Sequence, residues 1–131
     1  MRVFKQLFSK LSNLKFKRKT AIQKETTAQI DILKNKGFEV LSVTKTEKAN
    51  LIMYRHFLDD IPEEEEIRIF IGISVITSKG RSGRDPMLKA FFKNNFTTIS
   101  LEDIEMADSF INQGLGSMLL NALLDIAKKR N

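Results

Sequence analysis

Periodicity and turn chemistry along this chain point to an α/β domain of the α+β kind: a mainly antiparallel sheet of about four strands, with helices at the amino end and one helix at the carboxyl end. Three observations carry this expectation. Apolar residues change from helical spacing before Gly37 to runs rich in Val, Ile and Phe after it. Two of those runs flank a short polar stretch, Lys45 to Asn50, as the arms of a hairpin do. A long run at helical spacing returns after Gly114 and Gly116, near the end of the chain.

With 131 residues, 42% of them apolar, the chain suits one domain with a modest core. No apolar stretch approaches the roughly 18 residues of a membrane span. The amino end also lacks the continuous apolar region of a secretory signal, so a cytoplasmic protein is expected. The absence of cysteine excludes disulfides, thiolate nucleophiles and cysteine-ligated metals together. The formal charge of +6 is unevenly placed. Residues Met1 to Lys24 hold 8 of the 22 basic residues and no acid, so the other 14 face all 16 acids, a balance of −2. The basic character therefore belongs to an arm and not to the domain.

Taken in order, residues 1–19 form that basic amphipathic segment, and residues 20–131 form the single domain. In the arm, Val3, Phe4, Leu7, Phe8, Leu11 and Leu14 recur at helical spacing with lysines on much of the other side. A surface helix docked on the domain by its apolar stripe is expected, with attachment to nucleic acid, an acidic partner or a membrane surface as the alternative. A second helix is predicted from about Thr20 to Lys36, with Gly37 as its stop. Phe38 to Val43 and Leu51 to Phe57 read as the hairpin strands.

Asp59-Asp60-Ile61-Pro62 breaks the chain, and Glu63 to Glu66 read as a solvated charge run with no metal assigned. His56, the single histidine, is expected to be an ordinary strand-end residue. Ile67 to Ile76 is the strongest strand, and its nearly unbroken apolar character predicts burial on both faces. Ser78 to Asp85 is a connector, whose Arg81 and Arg84 are within reach of a phosphate only if the loop borders a site. Pro86 to Phe92 is predicted as a short helix with proline in its first turn.

The informative stretch comes last. Ile99, Leu101, Ile104 and Met106 mark a strand, followed by a turn, the loop Asn112-Gln113-Gly114-Leu115-Gly116-Ser117, and an apolar helix ending in Lys128-Lys129-Arg130. Two glycines flanking one residue at a helix start let the backbone approach a ligand, and the first free N–H groups then favour a phosphate. In the helix, apolar residues from Leu115 to Ala127 cover most of the circumference. Such a helix wants burial on more than one side, which predicts a homo-oligomer with Leu120 or Leu124 at the contact.

The run from Ile104 to Leu120 resembles the acyl-coenzyme-A-binding motif of the GNAT N-acetyltransferase superfamily: a strand, a turn with an aromatic (Phe110), then the glycine pair opening a helix with paired leucines (Leu119 and Leu120). The resemblance implies a partial GNAT-like fold and an acetyl-coenzyme A cosubstrate. Its pyrophosphate would be wrapped by Asn112, Gln113, Gly114, Leu115, Gly116 and Ser117, and its pantetheine arm paired by the main chain at Ile104 and Met106. It also implies transfer of the acetyl group to an amine, with Glu102 and Glu105 as candidate bases and Asp103 behind them. Alternation puts Glu105 on the face opposite Ile104 and Met106; solvent-facing strand carboxylates are the other reading. Two departures stand out. The family's leading Arg or Gln falls on Ile111, which offers no donor and no charge, and the family continues with a further strand and helix after Asn131, implying a domain incomplete at its carboxyl end. A non-catalytic interaction module bearing the basic arm is the rival function.

Overall fold

The computed structural model describes residues 21–57, 66–93, 97–107, 110 and 113–130. A helix α1 (21–35) precedes strands β1 (Glu39–Lys45), β2 (Asn50–Phe57), β3 (Glu66–Thr77), β4 (Gly80–Arg81), β5 (Met87–Lys93) and β6 (Thr98–Glu105), and α2 (Leu115–Arg130) follows. The strands make one six-stranded sheet in the order β1-β2-β3-β5-β6, with β4 a two-residue return paired to the end of β3. Every pairing is antiparallel. The class is as expected, with six strands in place of about four. The basic segment 1–19 lies outside the described residues.

β3 shows why the chain folds this way. Its side chains alternate between the two faces of the sheet, and both are covered. Ile69, Ile71, Ile73 and Val75 join Leu88, Ala90 and Phe92 of β5 under α2, which contributes Leu115, Leu119, Ala122, Leu123, Ile126 and Ala127. On the opposite face Ile76, with Ile52 and Tyr54 of β2, packs against Leu33 of α1, flanked by Ile22, Ile30, Phe38 and Phe70. Fully burying one such side chain contributes about 1.5–3 kcal/mol, so a strand with two covered faces must be apolar throughout. Two interior positions depart from this: Ser74 is buried with its hydroxyl bonded to Asp85, and Gly72 lacks a side chain because the Tyr54 ring lies where one would project, a Cβ there being 2.5 Å from the ring's Cζ.

The segment expected as a short helix after Pro86 is instead β5. Its burial alternates strictly along Met87–Lys93, and it is hydrogen-bonded to β3 on one side and β6 on the other. Over seven residues, Met, Leu, Ala and two Phe satisfy either period, and the two neighbouring strands decide. Pro86 sits just ahead of the strand, where its missing N–H removes no ladder bond; its carbonyl accepts the Ile73 N–H at 3.1 Å.

Among the described residues, only one side of α2 is covered. Leu115, Leu119, Leu123 and Ile126 are buried against the sheet, whereas Leu120 and Leu124 remain exposed.

Candidate functional site

β5 and β6 run antiparallel, so the end of β6 returns to the start of β5: Ile104 lies opposite Leu88, and Glu105 opposite Met87. β6 is the last strand in the sheet order, leaving its outer edge without a strand partner among the described residues. Its register slips once, with Leu101 opposite Ala90 and Asp103 opposite Lys89, so that Glu102 is the extra residue of a bulge. α2 begins at this end of the sheet, and a Cβ on Gly116 would stand 3.6 Å from the Met106 methyl. Gly114, at φ +75°, turns the chain into the helix. Its carbonyl accepts the Met118 N–H at 3.1 Å, the first bond of the helical ladder. The N–H groups of Leu115, Gly116 and Ser117 thus precede the ladder, Gly114 has no side-chain oxygen to cap them, and the first turn carries no acid.

Beside this helix start, Arg84, Asp85, Ile104, Glu105, Met106 and Ala107 line a cleft of about 480 Å³. On the other flank, Thr46 to Ala49, Leu51, Val75, Gln113 and Leu115 line a second hollow of about 350 Å³. The structure therefore sorts the residues singled out in the sequence. Ile104, Glu105 and Met106 share the cleft. Glu102 stands apart at the bulge, and both glutamates are exposed, so the fold desolvates neither. The Leu115 side chain belongs to the core, leaving only its N–H for a ligand. Ser117 and Gln113 are exposed, with Gln113 on the second hollow. Asn112 lies outside the described residues.

What the sequence did not signal is the wall formed by the loop before β5. Asp85 is nearly buried and accepts the Tyr54 hydroxyl at 2.6 Å, the Ser74 hydroxyl at 2.9 Å and the Arg81 Nε at 3.0 Å. The Gln29 amide donates in turn to Ser74 Oγ at 3.1 Å, tying α1 to the same network. Arg81 is thereby committed to Asp85. Arg84 lines the cleft, exposed and with no ion pair among the described residues. His56, near the end of β2, is held to the Gly37 carbonyl at 3.2 Å and is separated from β6 by β3 and β5.

Burial is the largest cause pushing the Tyr54 phenol above its ordinary value, followed by its hydrogen bond to Asp85 and that carboxylate's charge; Arg81 opposes them. Above about pH 10 the unfolded chain releases the phenolic proton while the folded chain keeps it. The unfolded state then binds fewer protons, so this contribution, complete below that pH, is lost as pH rises, by up to about 1.4 kcal/mol per unit. Tyr54→Phe is expected to remove that part of the alkaline slope in urea midpoints measured from about pH 8 to 11. An unchanged slope would mean that the phenol titrates as if in water.

Among the described residues there is no cluster of three or more His, Asp or Glu side chains suited to a metal ion, and no helix long and apolar enough to cross a membrane. In comparisons with known proteins, no family model, no curated protein and no solved structure matches the chain.

Proposed function

We propose that this chain binds an acyl-coenzyme A, with acetyl-coenzyme A as the cosubstrate, at the start of α2 and the outer edge of β6, and passes the acyl group to an amine. The observation that carries this reading is the apposition of the glycine-flanked helix start to the strand end, with Gly116 against Met106. A pyrophosphate suits the N–H groups of Leu115, Gly116 and Ser117, which precede the helical ladder at the positive end of the helix dipole. Arg84, in the cleft wall, supplies the positive charge that Ile111 does not. The amide groups of a pantetheine arm suit the free backbone donors and acceptors from Ile104 to Met106, as an added strand would.

The bound thioester would supply an acyl carbonyl open to attack by an amine, the C–N bond forming as the C–S bond breaks and coenzyme A leaving as the thiol. Two carboxylates line the cleft; Asp85 is engaged by Tyr54, Ser74 and Arg81, so Glu105 takes the amine proton directly or through one water. The exposure of Glu105 favours a second reading, in which the site binds without transferring and the chain acts as an interaction module.

Acetyl-coenzyme A at about 100 times its dissociation constant is expected to add roughly 2.7 kcal/mol of stability, read as a rise in melting temperature. Gly116→Glu, which sets a side chain and a negative charge among the helix N–H groups, should abolish the rise. Glu105→Gln should keep the rise and lose thiol release with amine acceptors. No rise for the wild type at millimolar ligand overturns the cofactor assignment, and a rise without thiol release selects the second reading.

A further inference from the structure

β4 and β5 are two pieces of one partner strand to β3. Arg81 lies opposite Ile76 and Met87 opposite Gly72. Between them the Ser82 N–H donates to the Val75 carbonyl at 2.8 Å, and the Pro86 carbonyl accepts the Ile73 N–H at 3.1 Å. The chain from Ser82 to Pro86 takes four steps while β3 takes two, so Gly83, Arg84 and Asp85 lie outside the ladder.

Local chemistry fixes the shape of this excursion. Gly83 takes a φ of +65°, which a side chain disfavours, and a Cβ there would stand 3.8 Å from the Phe110 ring. Asp85 precedes a proline, which biases it to extended backbone, where neighbouring side chains point to opposite sides. Asp85 is turned inward, with its side chain 7% exposed. Its Oδ1 accepts the Arg81 Nε, and its Oδ2 accepts the Tyr54 and Ser74 hydroxyls. Arg84, the next residue back, is exposed and lines the cleft with Ile104, Glu105 and Met106.

We propose that Asp85 is a positioning residue for the anion site: by locking the excursion it holds Arg84 at the cleft wall beside the start of α2, and so sets the affinity for the diphosphate of the bound acyl-coenzyme A. The inference rests on the function proposed above. The Asp85 carboxylate is no ligand for an anion, since it carries the same charge. The Arg81 guanidinium, 2.9 Å from it, offsets that charge. The two arginines thus have separate tasks: Arg81 neutralises Asp85, and Arg84 is left for the ligand. A loose loop would have to be ordered when the ligand arrives, and ordering it beforehand removes that cost from binding.

The sign of one substitution separates this role from a purely electrostatic one. Removing a negative charge beside an anion site should tighten binding, whereas loosening the loop should weaken it. Calorimetric titration of acetyl-coenzyme A into the wild type, Asp85→Asn, Arg84→Ala and the double variant reads both. Arg84→Ala should weaken binding about tenfold, equivalent to about 1.4 kcal/mol, and flatten its dependence on salt. Asp85→Asn should weaken binding severalfold, and should have no further effect once Arg84 is alanine. Tyr54→Phe keeps the carboxylate and removes its 2.6 Å bond; it should show the same dependence on Arg84, and it replaces Asp85→Asn if that variant does not fold. Tighter or unchanged binding by Asp85→Asn, or equal losses with and without the Arg84 side chain, overturns the proposal. An Arg84→Ala variant that binds as the wild type does overturns it too, while leaving the acyl-coenzyme A reading in place. A wild type that binds no acetyl-coenzyme A overturns both.

Discussion

Asp85→Ala is expected to cost about 2–4 kcal/mol of stability, since each buried hydroxyl left without its acceptor costs about 1–3 kcal/mol. The Asp85 side chain is 7% exposed and accepts hydrogen bonds from Tyr54, Ser74 and Arg81. Alanine leaves the Tyr54 and Ser74 hydroxyls without their acceptor inside the protein, and Gln29 loses the oriented partner it meets through Ser74. Arg81 is 46% exposed and can return to water, so the hydroxyls and not the ion pair carry the loss. Asp85→Asn keeps the shape and gives up the charge, and should cost less than alanine. Urea unfolding at neutral pH measures both changes as shifts in midpoint at constant slope. A loss below about 1 kcal/mol for alanine would mean that water replaces the carboxylate at no penalty.

The second large effect contrasts two adjacent residues. Leu119 is fully buried beneath α2, and Leu119→Ala should cost about 2–5 kcal/mol, the transfer term plus the cavity left behind. Leu120 is exposed, and Leu120→Ala should cost below about 1 kcal/mol. In a thermal scan the first should lower the melting temperature by at least about 5 °C. Equal losses would mean that α2 is buried on both sides in solution.

That contrast also marks the limit of what the sequence can reveal. Leu115 to Ala127 reads as a helix apolar nearly all round, and nothing local separates Leu119 from Leu120. The sheet does so by covering one flank only. The candidate site divides in the same way. Gly114 and Gly116 announce a backbone-lined helix start because few other residues tolerate a positive φ or leave room for a close approach. Arg84 announces only a charge in a loop that reaches a phosphate if the loop borders a site, and Asp85 announces nothing, since the register of β5 on β6 is what carries their loop to the end of the outer strand.

By itself the sequence determined both helices, the β1–β2 hairpin, the doubly buried β3 and the glycine-opened start of α2. Each follows from local chemistry: apolar period, turn residues, a stop at Gly37 with its φ of +88°. Only the tertiary structure decided that the residues after Pro86 form a strand, that Tyr54 reaches Asp85 across 31 residues, and that Gly72 must lack a side chain to let it. Those outcomes depend on which strand lies alongside which and on which face a helix covers, and such long-range pairings leave no period in the residues that make them.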